Sequence, residues 1–161
     1  MNKFQLFAVP ILTLLAISTQ ASAANAINFR VELSGDQEVP PVATDASGTA
    51  IIHFNQRLTE IDFKLDVRNG QNMLGAAGSH FHCAAAGANG PVIVFLAGTF
   101  PPGYDDDFQI RATLTDANII NGGTACGSTI ADIAMAMANG DVYINVHSTS
   151  HPAGEIRGQV E

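Results

Sequence analysis

The chain has no tryptophan and two tyrosines, and sets only seven lysine or arginine residues against fifteen acidic ones in 161 residues. Its formal net charge of −8 repels nucleic acid phosphates, which attract Lys/Arg-rich surfaces. No basic stripe is present for an anionic membrane, so the acidic balance speaks mainly for solubility. Nucleophilic catalysis has no footing, because no G-x-S-x-G segment occurs. No glycine-rich loop opens a helix to cradle phosphates. The two cysteines, Cys83 and Cys126, are too far apart in sequence to form a C-x-x-C redox pair. Internal repeats, low-complexity tails and interdomain linkers are absent as well.

The apolar run Phe4 to Ile17 is too short to cross a bilayer as a helix, which takes ~20 residues. Lys3 is the only charge before it, and it runs into Ala21-Ser22-Ala23, a small-x-small cleavage pattern. Residues 1–23 therefore read as a cleavable signal peptide, with an uncleaved anchor or a buried first helix as the alternative. No cysteine follows closely enough for a lipoprotein anchor. Residues 24–161 form one domain of 138 residues, secreted or periplasmic, with no membrane span once the signal is removed. Without Lys3 it carries six basic and fifteen acidic residues, a net charge of −9. In an exported chain an even cysteine count points to a Cys83–Cys126 disulfide. Its 44-residue loop would stabilise the fold by ~4 kcal/mol in the chain-entropy model.

Beyond residue 25 the hydrophobic period is two. Ile61, Phe63, Leu65 and Val67 alternate with Asp62, Lys64, Asp66 and Arg68, the signature of a half-buried strand. Similar alternation covers Phe29–Leu33 and Ala50–Phe54. Further strands are expected over Ser79–Ala84, Pro91–Ala97, Phe108–Leu114, Asp141–His147 and Glu155–Val160. Eight short strands parted by Gly, Pro, Asn and Asp predict an antiparallel β-sandwich or barrel. One short helix is expected over Thr129–Asn139, with Ser128 or Thr129 as cap and Gly140 as stop. Asp36–Ser47, with Pro40-Pro41, and Phe100–Asp107, with Asp105-Asp106-Asp107, read as long loops. The three aspartates suit calcium only weakly, since they lack EF-hand spacing.

Four of the five histidines fall into two groups, His80 with His82 and His147 with His151. Residues i and i+2 of a strand share a face, so His80 and His82 point together, opposite Phe81 and Cys83. By the same phase Tyr143, Asn145 and His147 point outward, as do Glu155 and Arg157. If the two segments are neighbours, His80, His82, His147 and Arg157 converge on the outer, polar side, and His151 in the following turn offers a fourth ligand. Imidazole suits copper and zinc, and a nitrogen-only set suits copper best. The competing reading is two solvated H-x-H patches that never meet. His53 reads as a surface or boundary residue.

Leu33-Ser34-Gly35-Asp36-Gln37-Glu38-Val39-Pro40-Pro41-Val42 resembles the opening motif of the CHRD (chordin-type) domain family. His80-Phe81-His82, followed by Gly87, Gly90 and Pro91-Val92, is similar to its central segment. Tyr143 to His147 and His151-Pro152-Ala153-Gly154-Glu155-Ile156-Arg157-Gly158-Gln159-Val160 resemble its closing motif. The resemblance spans about residues 28–160. A more distant similarity is to Cu/Zn superoxide dismutase, an antiparallel Greek-key barrel. It implies His80, His82 and His147 as copper ligands, Arg157 as a catalytic guide for an anionic substrate, and Cys83–Cys126 as a loop-pinning disulfide. No zinc loop with extra His and Asp ligands is visible. The fold expected is thus all-β, a Greek-key sandwich or barrel of superoxide dismutase-like or immunoglobulin-like type. Three functions follow: an exported copper-binding module, an interaction module with a protein partner and no metal, or a copper-dependent enzyme. Arg157 has a plainer alternative, pairing with a surface carboxylate such as Glu155 or Glu32.

Overall fold

The computed structural model describes residues 27–75 and 77–161. The expected signal peptide lies outside the described residues. Eight strands follow in order: β1 (Asn28–Ser34), β2 (Ser47–Phe54), β3 (Ile61–Met73), β4 (Ser79–Cys83), β5 (Val92–Ala97), β6 (Tyr104–Leu114), β7 (Val142–Val146) and β8 (Ile156–Val160). One helix, α1 (Ile130–Ala138), sits in the β6–β7 connection. Among the described residues, no helix is long and apolar enough to cross a membrane.

The strands form one antiparallel sheet in the order β5-β4-β7-β8-β1-β2-β3-β6. The sheet curls until its edge strands β5 and β6 approach, giving a nearly closed Greek-key barrel rather than two separate sheets. A short β3–β4 link and a long β6–β7 connection cross the barrel and bring β4 beside β7, with Cys83 opposite Val142. At the open seam Phe100, Tyr104 and Phe108 form a partly exposed aromatic run, with Tyr104 stacked on Phe108 at 5.1 Å.

The alternation read from sequence decides which face turns inward. Ile61, Phe63, Leu65 and Val67 of β3 are buried while Asp62 and Arg68 are exposed. Phe63 meets Phe81 of β4 edge to face, ring centroids 5.4 Å apart, a geometry that aromatic quadrupoles favour. The helix has the expected cap: Thr129 Oγ1 accepts from the Asp132 amide, and the Asp132 carboxylate accepts from the Thr129 amide.

Two expectations need correction. β6 begins at Tyr104, so Asp105, Asp106 and Asp107 lie in a strand and not in a loop. The reason is a pair of register shifts opposite Gly70 in β3. Asp107 accepts from the Asn69 amide and Asp105 from the Asn72 amide, so carboxylates replace ladder carbonyls while Asn69, Asn72 and Asp106 take positive φ. The second correction concerns the polar side of β4, β7 and β8. All five residues of β4 and all five of β7 are buried, because the β1–β2, β4–β5 and β7–β8 connections fold over that face. The phase assigned to the histidines was right, but the face is not solvated.

Candidate metal centre

Pairing across β4, β7 and β8 aligns His80 with Asn145 and Arg157, and His82 with Tyr143 and Gln159. His147 follows β7, its backbone amide bonded to the Gly78 carbonyl. His80, His82 and His147 thus meet on the covered face, 3 %, 8 % and 6 % exposed. Each presents a ring nitrogen, and these nitrogens all lie within 4.8 Å of one another. His80 Nδ1 and His147 Nε2 are 3.0 Å apart. Metal–imidazole bonds of roughly 2.0–2.1 Å let two such nitrogens share an ion at up to about 4 Å, so a small ring rotation completes the set.

Hydrogen bonds fix which nitrogens are free. The Gly90 carbonyl accepts from His82 Nδ1 at 2.9 Å, and the Pro152 carbonyl accepts from His147 Nδ1 at 2.9 Å. A neutral ring that donates through Nδ1 keeps its lone pair on Nε2, the usual outer support of a metal-bound histidine. Burial pushes His80 down to about 4, helped by the charges His147 and His82 would carry. Burial also lowers His82 and His147. All three rings are therefore neutral at pH 7, the form in which an imidazole can bind a metal ion.

His151 does not join them. It lies in the β7–β8 turn and is not a member of the cluster; its backbone amide donates to Ser148 Oγ and its carbonyl accepts from Gly154. His53 is exposed on β2 beside Asn28.

Arg157 is 1 % exposed and pairs with neither Glu155 nor Glu32. Its guanidinium donates to the Ala88 carbonyl at 2.8 Å, to Asn89 Oδ1 at 3.2 Å and to Gln159 Oε1 at 3.4 Å. It lies 3.4 Å from the Tyr143 ring centroid, a desolvated cation–π contact. Tyr143, on the strand between, also stacks on His82 at 4.7 Å, and its hydroxyl accepts from the Gly90 amide. Arg157 therefore clasps the β4–β5 loop over the barrel, and that loop carries the carbonyl that orients His82. Glu155 is buried separately, accepting from Thr44 Oγ1 at 2.6 Å.

Three participants had no role in the sequence reading. Asn145, 2 % exposed, holds Oδ1 3.0 Å from His82 Nε2. Tyr143 is the stacking plate just described. Asn145 and Tyr143 share the phase of His147, which is the signal that could have found them. Glu38, 6 % exposed, enters from the β1–β2 loop, where no period marks it. Its Oε1 is buried with no hydrogen-bond partner. Burial raises its carboxyl to about 7, against the opposing pull of Arg157 and of backbone hydrogen bonding at Val39. Gly154 leaves room for it: at φ +132°, a Cβ there would sit 2.4 Å from Glu38 Oε1 and 2.8 Å from Asn145 Nδ2.

Cys83 and Cys126 are bonded, S–S 2.01 Å, tying the end of β4 to the segment before α1. Neither sulfur is a thiolate ligand, and an intramolecular disulfide fits an extracellular setting. No curated protein and no solved structure matches the chain. The CHRD domain matches over residues 29–160, which takes in all eight strands except Asn28, the first residue of β1, together with the histidine cluster and the loops that cover it; the chain belongs to the CHRD domain family.

Proposed function

We propose that this is an exported domain that holds one copper ion through His80, His82 and His147. One observation carries the reading: three buried, neutral imidazoles bring ring nitrogens within 4.8 Å of one another while backbone carbonyls hold the outer nitrogens of His82 and His147. Without a cation, the His147 Nε2 lone pair is met by His80 Nδ1 at 3.0 Å, and loading an ion would exchange that one hydrogen bond for metal–nitrogen bonds to both rings. Copper is preferred because the set is nitrogen-only and both cysteines are oxidised. The signal peptide over residues 1–23 supports uptake of the metal outside the cytoplasm.

The interaction-module alternative expects the two histidine groups to stay apart and solvated, and it draws no support from rings this close. The enzyme alternative needs an open coordination position and a path to it. It also needs Arg157 free to meet an anion, whereas three protein acceptors and the Tyr143 ring already engage that guanidinium. Holding or delivering copper fits a covered site better than turnover does. Elemental analysis of protein purified from the periplasm or medium, with Cu(II) titration of His80→Ala, tests the proposal. The expected result is one copper per chain, lost in the variant. Undiminished stoichiometric binding by His80→Ala would end the metal reading.

A further inference from the structure

Outside the three histidines, the most unusual group on this face is Glu38. Its carboxyl is buried, and its Oε1 has no partner. The contacts at Gly154 put Oε1 within about 5 Å of Asn145 Nδ2, because both crowd the same point above Gly154. The other end of that amide faces His82 Nε2. Asn145 thus stands between the carboxyl and the His82 ring, which places Glu38 beside the cluster.

Charge gives this geometry its meaning. A divalent ion on three neutral imidazoles adds two positive charges to a covered face where Arg157 already supplies one. Coulomb energies there are several times those in water, and an uncompensated buried charge is strongly unfavourable. The charged and titratable groups facing Glu38 are Arg157 on β8 and Tyr143 on β7. Tyr143 stays neutral at pH 7, since burial raises it further. The other buried carboxylate, Glu155, is engaged by Thr44. Among the described buried carboxyls, Glu38 is the one without a hydrogen-bond partner on one oxygen and so placed to gain a negative charge when the ion arrives.

Resting on the copper reading above, we infer that Glu38 is the counter-charge of the metal centre: loading the ion expels the Glu38 proton to solvent, and the carboxylate so formed accepts from Asn145 Nδ2. Glu38 is a positioning residue here and not a ligand. Its near-neutral titration in the metal-free protein makes the release visible under ordinary conditions, and the histidines, already neutral, add no protons of their own.

The test is calorimetric titration of Cu(II) into the full chain at pH 7 in buffers of different ionisation enthalpy, with Glu38→Gln and His80→Ala alongside. The wild type should release about half a proton more per ion than Glu38→Gln, as a group half-ionised at that pH requires. Protons from copper-bound water cancel between the two. Below pH 7 wild-type affinity should fall by up to about tenfold per pH unit relative to Glu38→Gln, the slope of one linked proton. Equal release and parallel pH dependence would overturn the role of Glu38 while leaving the copper site standing. Absence of binding by the wild type, or full binding by His80→Ala, would instead overturn the site. Infrared difference spectra of the wild type alone give a check independent of the variant's folding. A protonated carboxyl band should vanish when Cu(II) is added at pH 6, and its persistence would refute the inference.

Discussion

Acidifying the metal-free protein from pH 7 to pH 4 should weaken it by about 3 kcal/mol through His80 alone. The folded ring protonates at about 4 because burial disfavours its charge, whereas an unfolded histidine protonates near 6.5. Above pH 6.5 both states are neutral and His80 contributes nothing to the pH dependence. Below that, the unfolded chain takes up a proton that the folded one refuses, so stability falls as pH falls. Each pH unit between 6.5 and 4 costs about 1.4 kcal/mol, and the loss levels off near pH 4. His82 and His147 are lowered for the same reason and add to it. The assay is urea unfolding with a chelator present at pH 7, 5.5 and 4, run on the wild type and on His80→Gln. Other titrating groups, including Glu38, whose raised carboxyl acts with the opposite sign, largely cancel in the difference. The wild type should lose its advantage over the variant by about 3 kcal/mol across that range. A difference independent of pH would refute the argument, since it would mean that the ring protonates as easily folded as unfolded.

Arg157→Ala should cost about 3–5 kcal/mol in urea unfolding, as removal of one partner from a buried charged network does. It should also weaken copper binding, because the loop carrying the Gly90 carbonyl loses its clasp; a cost under about 1 kcal/mol would place the guanidinium in solvent. Reduction of Cys83–Cys126, or the paired Cys→Ser variant, should destabilise the protein by ~4 kcal/mol; an unchanged urea midpoint would show that the bond does not form in solution.

The strands were legible because each carries one apolar face, and Ile61 to Val67 would fit no other period. The helix was legible from Thr129, Asp132 and Gly140. The extension of β3 and β6 was hidden because Asn69, Gly70 and Asp105–Asp107 look like turn residues, yet Asp105 and Asp107 bond opposing amides across the register shifts while Gly70 and Met73 still pair with Asp106 and Tyr104. The histidine face was assigned by parity alone. Parity cannot report that three loops close over that face, and so the rings were expected in solvent. His151 seemed a fourth ligand because it is near His147 in sequence, yet the turn commits its backbone to Ser148 and Gly154. Arg157 was placed in the right row and given the wrong neighbours, since Ala88 and Asn89 approach from a loop with no period to read. Glu38 could not be found at all, because its importance lies in burial that only the folded loop creates.

The antiparallel pairing of Ser34 with Arg157 sets the direction in which the domain faces. From the level of His147, β8 descends five residues to Val160, roughly 16 Å at ~3.3 Å per residue. β1 starts lower still, at Asn28. The chain therefore enters and leaves the barrel at the end remote from His147. Whatever is joined before Asn28 or after Val160, whether a tether, a second copy or a solid support, meets the far rim. His147 stands toward the opposite rim while His82 is level with Gln159 near the end of β8, so the histidine cluster runs along the barrel wall between the rims and an attachment at the far rim leaves its His147 side uncovered.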